Sequence, residues 1–330
     1  MSEWVALTRE EPVDPRRKII DSHHHIWDDG MRTNPFSYGG GGEPAYLPRH
    51  LHADMGGHNF AGSVFVQCSV AYHTQGPEHL RPVGETAFVA QQAALNAAHG
   101  PPILGIVAFA DTTRIDVLEE ALDAHTEAGQ GLLRGIRHMP MGADGKPRDL
   151  LADPAFHAGA KILGSRGLTF DAMLSYTKLQ QLAQLAPEIP DTTFIVDHIG
   201  APTIQPGGPS RAEVTAHWRE GIRALVPCPN VVIKLGGIGM ERVFGMEWSK
   251  QPHPPSSDTV AERWRDEVRF CIDTLGPTRC MFESNFPVDR LAVGYTVLWN
   301  AFQKMAEPYT DEEQNALFAN TACRVYGLQL

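Results

Sequence analysis

Cysteine is scarce and unpatterned in this chain. The five residues Cys68, Cys228, Cys271, Cys280 and Cys323 form no CxxC pair, and their number is odd. That argues against a disulfide framework and for reduced thiols in a cytoplasmic protein. Basic residues are in deficit: 28 Lys and Arg face 39 Asp and Glu, a formal net charge of −11. With no block of like charge and no basic amphipathic helix, neither a nucleic-acid surface nor a membrane-surface helix is expected. Apolar runs of membrane length are absent, and no apolar N-terminal segment precedes a cleavage site. No Gly-x-Gly-x-x-Gly follows the first strand-like run, which argues against a dinucleotide-binding sheet. No repeat of solenoid period is found.

What is present is ordinary globular composition. The chain has 330 residues, 42% hydrophobic and 20% charged, enough to bury a full core unaided. A polar arm, residues 1–17 with Pro12 and Pro15, precedes one α/β body at 18–330. Eight short runs rich in Val, Ile, Leu or Phe read as buried parallel strands: 18–23, 61–68, 103–110, 132–138, 167–173, 193–198, 231–236 and 280–285. Helical patterns are read at 84–99, 113–128, 176–186, 211–225, 259–275, 291–306 and 310–326. Eight strands alternating with helices predict a (β/α)8 TIM barrel rather than an open doubly wound sheet. Two segments are too long for simple connections. Residues 28–59, which include Gly39 to Gly42, follow the first strand, and 237–258 follow the seventh. Both leave strand C-termini, the active-site face of such a barrel. They are expected to wall a pocket, with Tyr38, Tyr46 or Trp248 near a substrate.

The chemistry stands at the same strand ends. Asp21-Ser22-His23-His24-His25 closes the first strand. On an extended strand His23 and His25 share a face, and two imidazoles so placed can close on one metal ion. A His-x-His pair alone is more often a satisfied core pair. Its position at the end of the first strand of a β/α chain reverses that preference. Arg134, Arg137 and His138 end the fourth strand, Asp171 lies on the fifth, and Asp197-His198 end the sixth. Lys234 lies on the seventh strand, with Glu283 and Asn285 on the eighth. Pleat parity allows only one of Asp197 and His198 to face inward, and His198 is preferred, with Asp197 behind it. Arg134 and His138 share one face of their strand and Arg137 takes the other. Inward polar groups in a packed barrel need a job or a partner.

The motifs DSHHHIWD, RGIRH, VDHIG, VVIKLGGI, MFESNFPVD and the terminal NTACRVYGL occur in that order. Together they resemble the amidohydrolase superfamily, and within it the amidohydrolase-2 branch of sugar lactonases and 2-pyrone-4,6-dicarboxylate lactonase. The resemblance implies a distorted TIM barrel and hydrolysis of a lactone C–O bond in a small, anionic or sugar-derived substrate. It implies His23, His25 and His198 as ligands of a divalent metal such as zinc, or as metal-free carbonyl-polarising donors. One departure matters: the strand-eight Asp of such families is Asn285 here, and the Gly two residues earlier is Glu283. Glu283 is therefore expected to act as general base. Arg137, Lys234 and Arg134 are expected to hold a substrate anion, with His138, Asp171 and Asn285 also facing it. Homo-oligomerisation is expected of a barrel of this type. The rival activities are a metal-dependent non-oxidative decarboxylase and a non-catalytic binder that has lost its strand-eight acid.

Overall fold

A computed structural model describes residues 4–31, 45–140, 148–205 and 207–330. Eight parallel strands run in sequence order: β1 (Lys18–His24), β2 (Asn59–Val66), β3 (Ile103–Ala108), β4 (Leu133–Ile136), β5 (Thr169–Ala172), β6 (Phe194–Val196), β7 (Val231–Leu235) and β8 (Cys280–Phe282). Each pairs with the next. The ring closes between the last strand and the first. There His25 N donates to Phe286 O at 2.7 Å, Asn285 N to His23 O at 2.8 Å, and Ser22 Oγ to Phe282 O at 2.8 Å. The result is the expected (β/α)8 barrel.

The helices are α1 (Pro48–Met55), α2 (Val83–Asn96), α3 (Ile115–Ala128), α4 (Pro154–Ser165), α5 (Leu179–Leu185), α6 (Arg211–Ala224), α7 (Glu241–Phe244), α8 (Ser257–Leu275), α9 (Tyr295–Ala306), α10 (Asp311–Asn315) and α11 (Thr321–Tyr326). Helix α8 forms because Val260, Trp264, Val268, Ile272 and Leu275 recur on one buried stripe, and the Ser256 hydroxyl accepts from Thr259 N at its start. Helix α4 was not anticipated, although Asp153 caps it through Ala155 N and Pro154 opens it. The continuous helix expected over 310–326 is interrupted by a π turn at 316–320. Residues 4–17 lie along α8 and α9: Glu10 accepts from Ser257 N, and Val13 N donates to Asn300 Oδ1.

The barrel interior is apolar below and polar above. Ile195, Val232 and Met281 face inward with Ile20, Val64, Val66 and Val107, and Tyr326 and Leu328 join them from the strand N-termini. Two residues further along their strands stand Asp197, Lys234 and Glu283, all fully buried. Period-two alternation thus turns an apolar core into a charged one at the strand C-termini.

Candidate functional site

Strand β1 reaches this charged level by a bulge. Asp21 pairs with Ser63 and His24 with Phe65, so one strand gains a residue between them. Ile20 and His23 therefore both face inward, although they are three residues apart. Asp21 points outward to β8 and α9, where Ser284 Oγ and Tyr295 OH donate to it at 2.6 and 2.8 Å. Burial raises its carboxyl to about 6 against those bonds. His24 packs outside, edge-on to Phe65.

His23, His25 and His198 converge as expected. His25 Nδ1 donates to Val66 O at 2.7 Å, and His198 Nδ1 donates to Glu283 Oε1 at 2.8 Å. His23 Nδ1 lies 2.7 Å from Glu283 Oε2, a separation that requires a proton between them. Each ring thus spends Nδ1 on an internal acceptor and leaves Nε2 outside that bond. Nε2 of His23 and Nε2 of His25 are 3.3 Å apart. Burial keeps both rings neutral, with His23 lowered to about 4 and His25 well below its ordinary value. Two neutral rings then face each other lone pair to lone pair, an arrangement that suits a shared cation. The chemistry of this donor set fits a divalent metal. Among the described residues, the group whose ligand atoms all lie within 4.8 Å of one another is His23, His198 and Glu283.

Glu283 is the hub of the site. It is fully buried, and Oε1 also accepts from His198 N at 2.9 Å. Burial works against its charge, but His198 and His23 hold the carboxyl well below the usual carboxylate range. Burial opposes the charge on His198 too, and the Glu283 carboxylate outweighs it, so that imidazole is raised. With both oxygens on imidazole nitrogens, Glu283 does not reach the pocket. Glu283, expected as the base toward water, is not among the residues that line the pocket.

The cations divide into one at the mouth and one below it. Arg137 lies with Nη1 3.4 Å from His23 Nε2 and 3.5 Å from Asp197 Oδ2, and Nη2 donates to Gln67 O. Lys234 is enclosed: Nζ donates to Asp171 Oδ2 at 2.6 Å, lies 3.1 Å from Asp197 Oδ1, and approaches His23 Nδ1 at 3.2 Å. Tyr326 OH also donates to Asp171, at 2.7 Å. Lys234 and Asp171 are thus a buried pair beneath the site, and neither lines the pocket. Burial raises Asp171 to about 6, whereas Lys234 and His23 hold Asp197 well below its ordinary value against burial.

Other expected residues lie elsewhere. Arg134 is half-buried and gives Nη1 to Gly131 O and Leu133 O at the start of β4, away from the mouth. His138 is buried against Phe109 and bonded to Thr112, 2.9 Å from its hydroxyl. Parity had admitted only one of Asp197 and His198, yet both join the cluster. Strand β6 ends at Val196, and His198 has φ +54, left-handed backbone to which strand alternation does not apply. Gly237, φ +62, passes so close that a Cβ there would stand 2.4 Å from His198 Nδ1.

A pocket of about 230 Å³, counting its open mouth, is lined by His25, Arg137, Met173, His198, Met240, Asn285 and Val288. Met240 comes from the segment after β7. Tyr46 does not line it, since its hydroxyl donates to Asp54, and Trp248 packs on the core instead. Tyr38 and Gly39 to Gly42 lie outside the described residues.

Glu85, on α2, was not anticipated. Its Oε1 accepts from Cys68 N and Val70 N at 2.9 and 3.0 Å, fixing the turn after β2 whose Gln67 carbonyl receives Arg137. Burial raises its carboxyl from 4.5 to about 7. The folded state therefore binds this proton more tightly than the unfolded one. Its contribution is fully present below pH 4.5 and is lost as pH climbs to 7, by about 3 kcal/mol. Glu85→Gln keeps the acceptor oxygen. In urea unfolding it should match the parent near pH 4.5 and exceed it at pH 8 by an amount of that order. An equal difference at both pH values would contradict this.

The chain is similar to proteins of known family along nearly its whole length. The amidohydrolase family profile matches residues 20–328. The protein y4mH of Sinorhizobium fredii, itself uncharacterised, is 32% identical over 324 residues, covering 93% of this chain and 98% of that one. An L-fucono-1,5-lactonase of Burkholderia multivorans is 27% identical over 314 residues, covering 94% and 96%. An amidohydrolase from Burkholderia multivorans, crystallised with bound zinc, superposes with a TM-score of 0.74 at 26% identity, covering 94% and 99%. From the profile match over nearly its whole length, the chain belongs to the amidohydrolase family.

Proposed function

We propose that this amidohydrolase opens a small lactone ring, cleaving the ester C–O bond of a sugar-derived or anionic substrate. The observation that carries the reading is the meeting of His25 and His198 at one pocket beside Arg137, with His23 packed against both rings and each Nδ1 held by an internal acceptor. The lactonase among the similar proteins supports it. Ring opening needs an electrophile at the carbonyl, a base for water and a cation for developing negative charge.

His23, His25 and His198 would hold a divalent ion such as zinc through Nε2. When bound, such an ion polarises a carbonyl and acidifies water. Arg137 places permanent charge where the oxyanion or a substrate carboxylate would lie. Glu283 fixes the orientation of two of the rings. When His198 is not engaged as a ligand, its Nε2 takes the proton of water, and Glu283 stabilises the resulting imidazolium.

The test is acid release, followed with a pH indicator, over a panel of pentono- and hexonolactones, with carbon dioxide measured in parallel on hydroxybenzoic acids. Acid from lactones without carbon dioxide is expected, along with near-stoichiometric zinc in protein purified without chelator. Carbon dioxide from an aromatic acid, with every lactone inert, would replace this reading by decarboxylation.

A further inference from the structure

We infer that Asp289 is a positioning residue that locks the Asn285 amide with Oδ1 toward the pocket, so that the site reads a substrate hydroxyl there. The inference rests on the lactone reading and deepens it by naming the substituent recognised.

Asn285 lines the pocket and adopts φ +55 just past β8. Its Nδ2 donates to Asp289 Oδ1 at 2.8 Å. Asp289 is fully buried, and its other oxygen accepts from Gly239 N at 2.8 Å. The backbone repeats the tie, since Asp289 N donates to Asn285 O at 3.2 Å. The carboxylate is thus clamped between the segment after β7 and the turn after β8, with an N–H on each oxygen. A Cβ on Gly239 would stand 2.8 Å from Asp289 Cβ, so the approach depends on glycine.

Burial raises the Asp289 carboxyl to about 7; above that pH it is a carboxylate, which only accepts hydrogen bonds. Turning the amide over would set its oxygen against Asp289 Oδ1 with no hydrogen between. Nδ2 therefore stays inward and Oδ1 is left for the pocket, where no donor reaches it among the described residues. An acid at this position could take a proton, whereas an amide oxygen can only accept a hydrogen bond. The partner it selects is a donor, and on a neutral lactone ring the available donor is a hydroxyl. Sites built around such a bond reject analogues that lack the hydroxyl, because the buried acceptor is then stranded.

The test compares kcat/KM for hydroxylated lactones with matched monodeoxy lactones at pH 8, where Asp289 is ionised. The parent should prefer the hydroxylated partner at one ring carbon by at least about 10²-fold. Asn285→Leu, which removes the acceptor, should erase that preference. Asp289→Asn is isosteric and lets the amide pair either way round. It should reduce the preference to about tenfold, mainly through KM, which a merely structural role would not do. Equal turnover of both lactones by the parent overturns the inference and leaves the lactone reading standing. If the parent opens no lactone, that reading fails, and the lock is read alone from the Asn285 side-chain NH2 pair in ¹H–¹⁵N spectra, assigned by its loss in Asn285→Asp. Slow solvent exchange that becomes fast in Asp289→Asn supports the lock, and fast exchange in the parent overturns it.

Discussion

Lys234→Met should cost about 3–5 kcal/mol of folding stability. Lys234 is fully buried between Asp171 and Asp197. Burial disfavours its charge, and those two carboxylates outweigh the penalty, holding the ammonium above its ordinary value. Methionine fills much of the same volume but leaves buried Asp171 without its cation and Asp197 with Arg137 alone. Removing one partner of a buried pair is far costlier than replacing the whole pair with apolar groups. The double variant Lys234→Met with Asp171→Asn should therefore recover a substantial part of the loss. Denaturant unfolding measures both. A single variant within about 1 kcal/mol of the parent would show that the pair is dispensable.

Glu283→Gln should lower kcat/KM by about 10²-fold, the upper range for groups that orient ligands and bases without touching substrate. Glutamine keeps one acceptor oxygen where Glu283 serves three donors: His198 N, His198 Nδ1 and His23 Nδ1. Its amide nitrogen must face one imidazole N–H and push that ring toward the other tautomer. A second readout needs no substrate. The Glu283 carboxylate raises the His198 imidazole against burial, so in the variant the imidazole pKa should fall below its ordinary value in long-range ¹H–¹⁵N spectra. An unchanged His198 titration would remove Glu283 from its positioning role. A rate loss well beyond about 10³-fold would restore it as a direct base.

Much of this was readable before any fold was at hand, and the failures have local causes. Eight apolar runs and Glu283 follow from period-two alternation, because β7 and β8 hold regular backbone up to or near it, whereas His23 and His25 share a face past a bulge in β1 that sequence does not announce. Asp197 and His198 broke the rule because the chain turns left-handed at His198. Asn285 shares that conformation, and its tie to Asp289 joins residues across a turn that sequence spacing alone does not close. For Lys234 the inward face was legible, but its partners were not. Asp171 lies 63 residues away and Tyr326 reaches Asp171 from α11. Arg134 and Arg137 differ only in which face of β4 points inward, a question that registers with β3 and β5 decide.

The seam between β8 and β1 governs when the site comes into being. Ser284 bonds to Asp21 across 263 residues, and Ser22 to Phe282 across 260. Loop-closure entropy makes contacts of such separation late to form during folding. Both oxygens that hold His23 and His198 belong to Glu283, just past that last strand. The nascent chain can thus build seven strands and carry all three imidazoles while still lacking the carboxylate that orients two of them. Catalytic competence should appear in step with ring closure during refolding, and not with the earlier gain of secondary structure.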